Sequence, residues 1–206
     1  ESNQPSTDFR FGRRLPHTCA PGTGGSPTVA GRGASISVTS GAHTISAGTV
    51  IGSNVAVNLT GNLTLSGSMT NNGFTLSKSG NGTLNISGSQ INAANSAIAV
   101  SAGTVNFNTD AGSAAASHLS LSQSGGTTVF NTPQHLSSLS TTGGNITVNA
   151  GDLTQIAMTL SSTGGQIFAH TGGISSDNNS TAAVSLTGGA HAILLDFETP
   201  GTSLTV

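Results

Sequence analysis

From Ala34 onward the chain is a succession of very short apolar alternations, each closed by Gly or Asn. The series runs Ile36–Val38, Val55–Val57–Leu59, Leu63–Leu65, Phe74–Leu76, Leu84–Ile86, Ile98–Val100, Val105–Phe107, Leu119–Leu121, Val129 and Leu136–Leu139. It continues through Ile146–Val148, Met158–Leu160, Ile167, Val184–Leu186, Ile193–Leu195 and Leu204–Val206. Residues two apart on an extended chain share a face, so this is a strand pattern. The punctuation is Ser-Gly, Asn-Gly, Gly-Gly and Asn-Asn-Gly, which are turn formers. Helix formers are scarce: the 206 residues include one lysine and two glutamates.

Many brief strands can build a sandwich, a barrel or a solenoid. Three details favour a right-handed parallel β-helix. The strands are shorter than the about 5–6 residues usual elsewhere. The pattern persists to the last residue, as it does when each turn packs only on its neighbours. The outward positions are Ser, Thr and Asn. Stacked turns bring equivalent positions to about 4.8 Å, where like charges repel but hydroxyls and amides can form ladders. Only 6% of the residues are charged. A turn of about 20 residues with three strands predicts roughly eight turns in residues 34–206.

Composition also excludes functions. A net charge of −2 argues against electrostatic nucleic-acid binding, which needs a basic face. No apolar run approaches the ~20 residues of a spanning helix. The chain has no Trp and no Tyr for the interfacial girdles of a membrane barrel. No secretory leader is visible at Glu1, so the sequence reads as a mature chain. The one cysteine, Cys19, cannot close a disulfide within the chain; it is a free thiol or half of an intermolecular bridge.

Residues 1–33 differ from the rest. They hold Pro5, Pro16, Pro21 and Pro27, the basic residues Arg10, Arg13, Arg14 and Arg32, and Phe9 and Phe11. This reads as an extended arm, expected to dock on its own body or on a neighbouring subunit. At the other end, Leu204-Thr205-Val206 is bare apolar alternation, with Phe197 just before it and only Asp196 and Glu198 as gatekeepers. An assembly surface is therefore expected at Phe9, Arg10, Phe11, Arg13, Arg14, Phe197, Leu204 and Val206.

The stretch Val129-Phe130-Asn131-Thr132-Pro133-Gln134-His135-Leu136-Ser137-Ser138-Leu139, followed by Gly143-Gly144-Asn145-Ile146-Thr147-Val148, resembles segments of secreted bacterial β-helix proteins with autotransporter-type passenger repeats, of the filamentous-haemagglutinin kind. So does Phe74-Thr75-Leu76-Ser77-Lys78-Ser79-Gly80-Asn81-Gly82-Thr83-Leu84-Asn85-Ile86. The resemblance implies a scaffold at the cell surface or secreted, without a catalytic site.

Chemistry is sparse. Glycoside hydrolysis needs two carboxylates about 5–10 Å apart. Only Asp196 and Glu198 are close in sequence, and the body offers a single base for a lyase, Lys78. The histidines His17, His43, His118, His135, His170 and His191 show neither HxH nor HExxH spacing. The Gly-Gly-x-Gly-x-Asp calcium repeat is absent, Thr-x-Thr ranks of the ice-binding kind do not recur, and no cofactor motif appears. Sequons at Asn58, Asn62, Asn81, Asn85, Asn145, Asn178 and Asn179 are frequent enough to arise by chance. The leading expectation is thus a structural, non-enzymatic extracellular subunit that polymerises head-to-tail by arm exchange. Its partner is then another copy of itself. An adhesin fragment binding surface glycans is the alternative, and a carbohydrate-active enzyme the third.

Overall fold

The computed structural model describes residues 9–11, 28–113, 115–149, 154–164, 166–169, 174–176, 183–186, 195–196 and 203–205. Every regular element among them is a strand, and the strands wind into a β-solenoid of about six turns. The sequence suggested about eight, from a turn of 20 residues. No helix among the described residues is long and apolar enough to cross a membrane.

The chain visits three sheets in rotation. Ala34–Val38 lies in sheet A, Ala42–Ile45 in sheet C and Thr49–Ile51 in sheet B; Val55–Leu59 then returns to sheet A. Sheet A has twelve strands, sheet C seven and sheet B four. Alternation decides which side chains go inside: along Val55–Leu59 the three apolar residues are buried, while Ala56 and Asn58 face solvent.

Registration is parallel and continuous. Leu63 pairs with Leu84, and Leu84 with Val105, a step of 21 residues each time. In sheet A one aliphatic column runs Ala34, Val55, Leu76, Ile98, Leu121 and Leu139 in unbroken register. It extends through the positions of Leu160, Val184 and Leu204. Phe107 and Phe130 are paired neighbours in sheet C, fully buried, with ring centroids 5.3 Å apart.

The corner from sheet A to sheet C repeats one backbone solution. Gly80, Gly103, Gly126 and Gly144 sit there with φ of 74°, 70°, 76° and 80°. That left-handed conformation is costly for any residue with a Cβ. Stacking adds a second constraint, because a Cβ on Gly103 would collide with the carbonyl oxygens of Gly80 and Gly82. Sheet B ends at Gln90–Asn92. Beyond it the third side is closed by a side chain. Gln134, fully buried, donates to the Thr109 and Thr132 carbonyls at 3.1 and 3.0 Å and accepts from the Ala111 amide at 3.0 Å.

Ladders form on the outside as expected. Asn106 Nδ2 donates to Asn85 Oδ1 at 2.7 Å, and Asn85 Nδ2 to Thr64 Oγ1 at 3.3 Å. A second ladder runs from Asn149 to Asn131 (3.1 Å), from Asn131 to Asn108 (2.9 Å) and from Asn108 to Ser87 (3.1 Å).

Replacing Phe107 with Ala opens a cavity beside Phe130 and should cost about 3–5 kcal/mol in denaturant unfolding. Ser77→Ala, on the exposed face of sheet A, should stay within about 0.5 kcal/mol of the parent chain.

Candidate functional site

The outer face of sheet A carries one residue class. In register across successive turns lie Ser35, Ala56, Ser77, Ala99, Ser122 and Ser140. A groove of about 390 Å³ runs along this column, bordered on one side by Ser79, Ser101, Ser124 and Thr142. Each turn thus contributes short hydroxyl-bearing or methyl side chains, and the wall is flat. Hydroxyls can donate and accept, so such a face can hydrogen-bond water, sugar hydroxyls or another sheet. Lys78 also borders the groove, but its ammonium turns inward.

Lys78 was read from the sequence only as the single base of the body. It is 1% exposed and lies in register between Val57 and Val100 in an inward-facing column. Its Nζ donates to the carbonyl oxygens of Ser79 (3.0 Å), Gly80 (2.8 Å) and Ala102 (3.0 Å). The three protons of an ammonium therefore meet three acceptors. Burial pushes its pKa down from 10.5 to about 8. Two further polar residues in the same column act alike. Gln123 Nε2 donates to the Gly126 and Asn145 carbonyls at 3.2 and 2.9 Å, and Thr141 Oγ1 to the Gly143 carbonyl at 3.0 Å. All three brace the glycine corner, whose left-handed backbone turns carbonyls toward the interior. Lys78 is therefore a structural tie and not a base on a coil face.

One ion pair stands at the corner where sheet B has ended. His135 Nδ1 lies 2.6 Å from Asp110 Oδ2, while Asp110 Oδ1 accepts from the amides of His135 (2.9 Å) and Gly112 (3.0 Å). Asp110 thereby fastens the loop after Thr104–Phe107 to the start of the strand His135–Thr141. Of the other histidines, His118 Nδ1 is 2.9 Å from the Asn92 carbonyl and His43 Nε2 is 3.1 Å from the Ser40 carbonyl. Among the described residues no three of His, Cys, Asp or Glu come together to hold a metal. Asp196 closes the strand Leu195–Asp196; Glu198, its sequence partner, lies outside the described residues, as do Cys19, His17, His170 and His191.

The expected assembly residues divide in the same way. Phe9, Arg10 and Phe11 form a strand that pairs antiparallel with Ala34–Val38 of the same chain. The arm is thus docked on its own body, one of the two outcomes expected of it. Leu204 lies in Ser203–Thr205, paired with Ala183–Leu186. Arg13, Arg14, Phe197 and Val206 lie outside the described residues. Comparison with models of known protein families, with curated proteins and with solved structures gives no match. The resemblance to passenger repeats is supported as far as the solenoid architecture and no further.

The buried ammonium has a measurable signature. Unfolded, Lys78 keeps its proton to about pH 10.5; folded, only to about pH 8. Between those values the unfolded chain binds the extra proton, so raising the pH favours the folded state. Stability should hold steady below pH 8, rise toward pH 10.5 by up to about 3 kcal/mol and then level off. The chain has no Tyr and this one lysine, so in a Cys19→Ser background little else titrates there. Thermal melts across that range check the rise, and Lys78→Met should flatten it.

Proposed function

We propose that this chain is a non-enzymatic structural protein, a β-solenoid subunit that stacks end to end with copies of itself into an extracellular fibre or surface layer. The observation that carries the reading is the aliphatic column of sheet A, in parallel register from Ala34 to the position of Leu204. A body built by adding equivalent turns has ends that resemble its own internal contacts. Another turn, supplied by a second copy, meets the same backbone spacing and the same column. Head-to-tail contacts of this kind give open filaments when they do not close. The uncharged ladders support it as well, since no like-charge pair opposes stacking. Placement outside the cell rests on the resemblance to passenger repeats.

The groove on sheet A favours a second reading, an adhesive face for surface glycans. Its hydroxyls repeat with every turn, so a repetitive polymer lying along the axis meets the same chemistry at each step. The two readings use different surfaces, the ends and the flank.

Negative-stain microscopy and fibre diffraction of the full chain separate them. End-to-end stacking should give filaments with a reflection near ~4.8 Å along the fibre axis. Particles that stay monomeric at every concentration rule it out. For the adhesive reading, co-sedimentation with insoluble polysaccharide should be lost when Ser122 and Ser124 are replaced by Lys, with filament formation unchanged.

A further inference from the structure

The strand Phe9–Phe11 is the one antiparallel member among the paired strands described. It lies on the outer edge of Ala34–Val38, the first turn of sheet A. Its register sets Phe9 opposite Val38, Arg10 opposite Ser37 and Phe11 opposite Ile36. Val38 and Ile36 are buried core residues and Ser37 is not, so the Phe-Arg-Phe alternation follows the alternation of the strand it covers. The cover is incomplete. Three residues pair with a five-residue strand, and Ala34 and Ser35 have no pairing partner on that side among the described strands. Ala34 is 7% exposed, against 1% for Val55 and Leu76 in the same column. The same end is open on sheet C. Ile45 is only partly buried, while its column mates Leu65 and Ile86 are 2% and 0% exposed.

A parallel neighbour and the antiparallel strand compete for one set of backbone groups. The neighbour pairs along five residues and continues the core columns; Phe9–Phe11 pairs along three. We infer that the N-terminal edge of sheet A is the docking edge for a second copy of this chain, and that Phe9–Phe11 is its intramolecular competitor, displaced by an incoming sheet-A strand from the uncovered Ala34–Ser35 side. The inference rests on the end-to-end reading above and adds its regulation: the arm sets when stacking begins. Strand exchange of this kind is β-augmentation with the edge already occupied in cis.

Two variants test it in opposite directions, both in a Cys19→Ser background and followed by light scattering and sedimentation velocity. Arg10→Pro removes a backbone N–H from the covering strand and leaves the solenoid intact. It should assemble at about tenfold lower concentration than the parent, equivalent to ~1.4 kcal/mol less cost of opening the edge. Arg10→Cys with Ser37→Cys places two thiols at directly opposed positions, within reach of a disulfide. The oxidised chain should stay monomeric, and reduction should restore assembly at the parent's rate. Should the locked chain assemble as fast as the reduced one, or Arg10→Pro behave like the parent, the edge is not gated by the arm, and the inference falls while end-to-end stacking survives. Should parent, proline variant and reduced chain all remain monomeric, the stacking reading falls and takes the inference with it.

Discussion

Parallel stacking in register is the constraint from which the rest follows. Each residue meets its own structural equivalents about 4.8 Å above and below. A position that repeats must therefore tolerate itself. Aliphatic side chains do so inside, and Ser, Thr and Asn do so outside by hydrogen bonding along the axis. A repeated charge does not. The charges that remain are placed where the repeat is broken. Lys78 stands between Val57 and Val100 and spends its protons on backbone carbonyls. Asp110 takes two amides and His135 at a corner where the third sheet has stopped. Scarcity of charge is thus a geometric outcome of the fold, and the exceptions mark its irregular points.

The same geometry explains what could be read from residues alone. Sheets A and C were legible because their strands bury every second residue, giving Val55–Val57–Leu59 or Leu84–Ile86 a visible rhythm. Sheet B was not. Its strands Met69–Asn71 and Gln90–Asn92 are three residues long and carry asparagines on the inside. Asn71 accepts from the Phe74 amide and donates to the Phe74 carbonyl, both at 2.9 Å, closing the corner back to sheet A. An inward Asn that satisfies a bend looks, in sequence, like one more loop asparagine. The number of turns was overcounted for a related reason. The step is 21 residues between Leu63 and Leu84 and widens to 23 between Val100 and Gln123, where the loop after Phe107 replaces a sheet-B strand.

Lys78 was misread because alternation was not applied to it. Within Thr75–Ser79 the buried positions are Leu76 and Lys78, two apart, which is the spacing that marks an inward face. A lone lysine in an uncharged chain looks like solvation, but its phase in the strand says otherwise. The glycines beside it carry the missing signal. Gly80 and Gly103 turn in the left-handed region and leave carbonyls that need donors from within. Gln123 and Thr141 stand at the same phase in later turns and meet the same need with neutral groups. One corner geometry has therefore been satisfied three ways, and only the first leaves a titratable group in the core.

The arm poses the converse problem. In residues 1–33 proline and arginine obscure any rhythm, yet Phe9-Arg10-Phe11 has the alternation of the strand it covers. Three residues are too few for a pattern to be recognised without knowing the neighbour. Pairing also fixes which of two competing economies governs the end of the solenoid. A bare edge exposes both backbone groups and the last layer of the core, which favours growth by another turn. A covered edge hides the backbone of Ile36–Val38 but leaves Ala34 and Ser35 without a partner there. A full-length cover would end the stack for good, and no cover would let chains stack wherever they meet. Partial cover leaves growth allowed but slow, because each added copy must first separate three paired residues before its own five can pair.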